Sequence, residues 1–199
     1  MKTKCFLKTW ELALLIALCA AALAGLWAER THEEIASQMI RLHVLAVSDE
    51  ETEQAVKLQV RDAVLAYLTP KLEGITDQAG AQACLTRELD GIAQAAERAA
   101  EGREVTVTLS QEFYPTREYD GFSLPAGNYT SLRVVLGEGE GHNWWCVVYP
   151  PLCVSAAEAS RAAMETLDDG TAKIITESDG YVYKFKLLEL WGMLTEKLR

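Results

Sequence analysis

Cys146 and Cys153 stand on either side of Pro150-Pro151, and His142 precedes Cys146 by four residues. Two chemistries are open to such a group. In an oxidising compartment the two thiols can pair across the turn the prolines make. A thiol with His142 or His43 as its base would instead form the nucleophile pair of a secreted thiol or hydrolytic enzyme. The plain alternative is that both sulfurs are small buried hydrophobes. Cys84 sits beside a helical apolar stripe and reads as core. Metal is not expected, because His32, His43 and His142 lack H-x3-H spacing and the cysteines lack C-x2-C. The G-x-S-x-G, P-loop, dinucleotide and H-E-x-x-H motifs do not occur. Gly137-Glu138-Gly139-Glu140-Gly141 is glycine-rich, but its glutamates would repel a phosphate, so it reads as a turn. No cofactor is expected.

The elements that must hold these residues follow from hydropathy. Residues 40–47 alternate, with Arg41 and His43 between Leu42 and Val44, and predict a strand with His43 on a partly exposed face. Ser48 or Asp49 is placed to cap the next helix. Val56, Val60, Ala63, Val64 and Tyr67 form its stripe, and Thr69-Pro70 closes it. A second helix is predicted over 77–100, with Leu85, Leu89, Ile92 and Ala96 inward and Gly102 past its end. A strand follows over 104–109. Residues 131–136 and 144–149 read as a hairpin around the glycine-rich turn, stopped by Pro150-Pro151. A helix over 156–167 comes next. Residues 173–176 and 181–186 read as a small hairpin and 187–198 as a terminal helix, with 181–186 open either to that strand or to an extension of the helix. The two-helix crossover predicts the strands at 40–47 and 104–109 as parallel or near-parallel in one sheet. The fold class is α+β, a single domain with a mixed β-sheet and packed helices.

An N-terminal signal or anchor helix precedes that domain. Lys2, Lys4 and Lys8 lead into an apolar run, Leu12 to Ala28, with Ala22-Leu23-Ala24 before Gly25 as a cleavage pattern. Seventeen residues, counted over that run, lie at the short limit for crossing a bilayer, so a cleaved signal and an uncleaved anchor are both open. Residues 1–28 are the signal peptide or anchor, 29–39 a polar spacer or short exposed helix, and 40–199 the domain. The basic start orients the body outward. The formal charge of the 199 residues is −10; without residues 1–24 it is −12. An acidic chain repels phosphate backbones, which argues against nucleic acid as a partner. Contact with membrane is expected only through the N-terminal segment.

Two stretches carry a family resemblance. One is Ile40-Arg41-Leu42-His43-Val44-Leu45-Ala46-Val47-Ser48-Asp49 with Lys57-Leu58-Gln59-Val60-Arg61-Asp62-Ala63-Val64-Leu65. The other runs from Leu124-Pro125-Ala126-Gly127-Asn128-Tyr129 through Leu132-Arg133-Val134 to Asn143-Trp144-Trp145-Cys146-Val147-Val148-Tyr149-Pro150-Pro151-Leu152-Cys153. Together they closely resemble the stage II sporulation protein R family of endospore-forming Firmicutes. Tyr183 to Leu190 resembles the family's C-terminal segment. The chain departs from the family pattern at Val47, where Asn usually precedes Ser-Asp.

The resemblance implies a non-enzymatic signal, made in the forespore and exported into the space between forespore and mother-cell membranes. There it would activate a membrane-embedded aspartic protease, from its extracytoplasmic side, to process pro-sigma-E. Aromatic and Arg side chains anchor interfaces. The candidate receptor contacts are therefore Tyr114, Arg117, Tyr119, Phe122, Tyr129, Arg133, Trp144 and Trp145. Residues 114–117 and 124–129 are expected as surface loops. Strand alternation turns one of the two tryptophans inward. The competing readings are a structural module of the spore envelope and the Cys/His enzyme.

Overall fold

A computed structural model describes residues 9–119, 122–153 and 156–176. In chain order the elements are helix α1 (Thr9–Ser37), strand β1 (Ile40–Leu45), and helices α2 (Glu51–Leu72), α3 (Gln78–Arg87) and α4 (Leu89–Ala99). Strands β2 (Val105–Tyr114), β3 (Arg117–Tyr119), β4 (Phe122–Leu124), β5 (Gly127–Leu136) and β6 (Asn143–Tyr149) follow. Helices α5 (Ala156–Thr166) and α6 (Asp169–Thr176) complete the described elements. The class is α+β, with a mixed sheet in the order β2-β5-β1-β6 and a separate β3-β4 ribbon.

The sheet order departs from the expected one. Strand β1 runs parallel to β5, not to β2. The expected hairpin of 131–136 with 144–149 does not form, because β1 lies between β5 and β6. The physical reason is a longer ladder elsewhere. Strands β2 and β5 pair antiparallel from Val105↔Leu136 to Tyr114↔Gly127, and this occupies one edge of β5. β1 takes the other edge, so β6 is left with the free side of β1. The glycine turn steps over the end of β1, with Gly141 N donating to Ala46 O at 2.9 Å. Gly139 there has φ 68°, a conformation favoured by glycine.

The helices also differ in their ends. Asp49 does not cap α2. Its carboxylate accepts from the His142 amide at 2.6 Å, and Glu50 sits at the cap position without a side-chain bond. Pro70 lies inside α2, which runs on to Leu72. The predicted helix over 77–100 is two helices that break at Glu88. Asp77 caps α3 by accepting from Gly80 N at 2.7 Å. At the break the Glu88 carboxylate accepts from Tyr67 Oη at 2.6 Å and pairs with Lys71 at 2.9 Å. Residues 169–176 are helical, not a strand, because Asp168 accepts from the amides of Gly170 and Thr171, each at 3.0 Å. The predicted elements over 181–186 and 187–198 lie outside the described residues.

Each face of the sheet carries a core. One face buries Leu42, Val44, Leu132, Val134 and Val148 against Val56, Val60, Val64 and Leu68 of α2, with Leu85 and Ile92. Each such side chain contributes about 1.5–3 kcal/mol on burial. The other face packs Tyr114, Tyr129 and Val147 under Phe122 and Leu124, with Ile35, Met39, Ala159, Ala163 and Ile175. Helix α1 is continuous through the expected boundary at residue 28. Its polar end is helical to Ser37, with Arg30, Glu33, Glu34 and Ser37 exposed and Ile35 and Ala36 buried. Leu12, Leu14, Leu15, Ile16, Leu18 and Leu23 are exposed along its first turns. Among the described residues no helix is long and apolar enough to cross a membrane.

Candidate functional site

Alternation along β1, β2, β5 and β6 gathers the polar and aromatic side chains on the second face. Register aligns Arg41 with Ser131, and His43 with both Arg133 and Trp145. Glu112 stands across from Tyr129 on β2. The β3-β4 ribbon and the end of α1 cover this group. β1 is buried along its whole length, so Arg41 and His43 are interior residues and not part of an exposed sheet face. A central strand between two neighbours and two covered faces leaves no solvent side.

The site contains a directed chain of hydrogen bonds. His43 Nδ1 pairs with Glu112 Oε1 at 2.8 Å. Ser131 Oγ donates to Glu112 Oε2 at 2.7 Å, and Tyr114 Oη lies 2.7 Å from Ser131 Oγ, completing the chain as donor. Burial pushes the His43 imidazole below its ordinary 6.5, against the opposing pull of Glu112 and Asn143. Burial raises the Glu112 carboxyl, but the Ser131 hydrogen bond, His43 and Arg133 hold it below 4.5. Burial also raises the Tyr114 phenol, which keeps it a donor.

Arg41 lies beside this chain and is fully enclosed, 0% exposed. Its guanidinium carbon is 4.0 Å from the Tyr114 ring centroid, 5.0 Å from Tyr129 and 5.7 Å from Tyr119. These tyrosine faces stabilise the cation. Arg41 Nη2 donates to Tyr119 Oη. Among the described residues Arg41 makes no ion pair. Among the described residues its Nε and Nη1 have no hydrogen-bond partner, nor do Arg133 Nε and Trp145 Nε1.

The eight predicted contact residues divide. Tyr114, Phe122 and Tyr129 are buried in the second core and are not exposed anchors. Leu124 to Ala126 are buried as well, so 124–129 is not a surface loop. Tyr119 is partly covered and stacks on Phe122, with centroids 4.7 Å apart. Arg117 is exposed and lies 3.9 Å above Trp145, which is half-buried and faces the second core. Arg133 is half-buried on the same face. Trp144 points the other way, is exposed, and carries Arg61 4.4 Å above its ring. A groove of about 250 Å³ runs along β6 between Trp144, Trp145, Tyr119, Phe122 and Arg61.

Cys146 and Cys153 are joined as a disulfide, with Cα atoms 5.6 Å apart. Cys146 faces the first core while His43 faces the second, and exposed His142 pairs with Asp49. The thiol–imidazole pair is therefore not assembled. Among the described residues no group of three or more metal-ligating side chains occurs. Sequence reasoning missed Arg41, His43, Glu112 and Ser131 as one cluster. The alternation at 40–45 shows Arg41 and His43 on one face, and that signal reaches no further.

Residues 36–159 match the model of a family described as Stage II sporulation protein R. This span covers all six strands. The chain is also 34% identical over 171 residues to Stage II sporulation protein R of Bacillus subtilis (strain 168). That alignment covers 80% of this chain and 76% of the relative. No solved structure matches the chain.

Proposed function

The chain belongs to the stage II sporulation protein R family, a sporulation family, and from that membership we propose that it is an exported, non-enzymatic signal from forespore to mother cell. In this reading it enters the intermembrane space and binds the extracytoplasmic side of a membrane-embedded aspartic protease. The protease then processes pro-sigma-E. The family match is the observation that carries the proposal, and the basic-then-apolar N-terminus supports export. A signal of this kind works by binding one state of its receptor better than another. The partly exposed residues Arg117, Tyr119, Arg133, Trp144 and Trp145 are the receptor contacts that remain accessible.

Deleting the gene tests this directly. Pro-sigma-E is expected to persist on immunoblots of the sporulating deletion strain while the protease is still present. Normal processing in that strain would reject the proposal.

A further inference from the structure

We propose that the face beneath the β3-β4 ribbon is a carboxylate-binding site, served by Arg41 and Trp145 and fitted to an acidic side chain of a polypeptide. Four nitrogens without a partner among the described residues carry the inference: Arg41 Nε and Nη1, Arg133 Nε and Trp145 Nε1. Arginine and indole nitrogens only donate, so the ligand that satisfies them must present acceptor atoms. Glu112 is the carboxylate already present, and both its oxygens are engaged by His43 and Ser131. Arg41 is enclosed, Arg133 is half-buried on the same face and Arg117 is exposed above Trp145, so donors without acceptors remain among the described residues of this face, on a chain whose net charge is −10. An ionised acceptor makes the stronger hydrogen bonds, and guanidinium matches carboxylate geometry.

The donors are neighbours. The Tyr114 ring has Arg41 at 4.0 Å on its face and the Trp145 ring at 6.0 Å. Tyr119, Phe122 and Trp145 line the groove along β6, and Tyr119 is the lining residue bonded to Arg41. Tyr119 holds Arg41 by a single hydroxyl. An acidic side chain entering by the groove would displace that hydroxyl and accept from Arg41 and Trp145 Nε1. Tyr119 is then a competitor for the site as well as its cover. Assigning the carboxylate to a polypeptide rests on the signalling proposal, whereas the carboxylate chemistry does not.

The test is a 15N NMR titration of the full chain in detergent. The probes are acetyl-Leu-Glu-Leu-amide, its Gln counterpart and sodium acetate, followed at the Trp145 indole and Arg41 Nε–H resonances. The Glu peptide is expected to shift both, with the Gln peptide at least tenfold weaker. Tyr119→Phe is expected to tighten Glu-peptide binding several-fold, an outcome that misfolding cannot imitate. Trp145→Phe is expected to weaken it. Equal shifts with the Gln peptide, or none at Arg41 and Trp145, would overturn the site. Acetate binding as tightly as the Glu peptide would keep the carboxylate chemistry and overturn the polypeptide assignment. Processing of pro-sigma-E in the deletion strain reports on the signalling proposal separately.

Discussion

At the scale of single residues, the buried chain Tyr114–Ser131–Glu112–His43 sets both stability and its pH dependence. Ser131→Ala removes the link between Tyr114 and Glu112 and leaves the buried Tyr114 hydroxyl and the half-buried Glu112 carboxylate each short of a partner. The expected cost is about 1–3 kcal/mol, read as a lower urea midpoint at unchanged slope. His43 is faced by Glu112, Arg133, Asn143, Trp145 and Tyr114. Its folded value lies below the ordinary 6.5, so in mild acid the unfolded chain takes up a proton that the folded chain refuses. Stability therefore falls as pH drops through 6.5, and His43→Gln should flatten that part of the profile. Glu112 acts in a lower window. Its folded value lies below 4.5, so its contribution is present above 4.5 and is lost as pH falls through the folded value. Urea titrations between pH 7.5 and 3.5 read both windows. None of this was legible in the sequence, because Glu112 is far along the chain from His43 and only the sheet register joins them.

At the scale of elements, Tyr67 packs beside the break between α3 and α4, against Glu88 and Gly91. A methyl group at Gly91 would collide with the Tyr67 hydroxyl. Gly91→Ala, which in an exposed helix stabilises by up to about 1 kcal/mol, is here expected to destabilise by about 1–3 kcal/mol on thermal denaturation. The disulfide closes a short loop, with its cysteines seven positions apart. Replacing both cysteines by Ser should cost about 2 kcal/mol by the loop-closure estimate. Pro-sigma-E processing should survive that change, and its loss without unfolding would favour the thiol-enzyme reading. Element types were largely legible. The stripe Val56, Val60, Val64 and the strand at 40–45 follow from period alone. Strand order was not, since a ten-pair ladder between β2 and β5 outcompetes the nearer β5-β6 pairing and nothing local announces it. Asp49 and Asp168 show the same limit. Both are good caps by type, yet His142 claims the first while the amides of α6 claim the second.

At the scale of the whole molecule, a net charge of −10 coexists with a fully enclosed arginine, Arg41, and an apolar helix whose first turns are exposed. The charge disfavours capture by anionic lipid or nucleic acid, which fits the proposed protein receptor. In the proposed reading, delivery falls to the N-terminal segment. A chain of residues 25–199 made without a signal should fold but fail to signal from inside the forespore, and a heterologous secretory signal should restore it. Immunoblots of pro-sigma-E in the two strains read the difference, and full signalling by the signal-less chain would count against export. The most direct test of the activator claim is reconstitution outside a sporulating cell. Pro-sigma-E and the membrane protease would be co-expressed in a non-sporulating bacterium, with and without the exported chain, and cleavage followed by immunoblot. The account predicts cleavage that depends on the chain and vanishes when its signal segment is removed. Cleavage of equal extent without the chain, or none with it exported and the protease present, would contradict it.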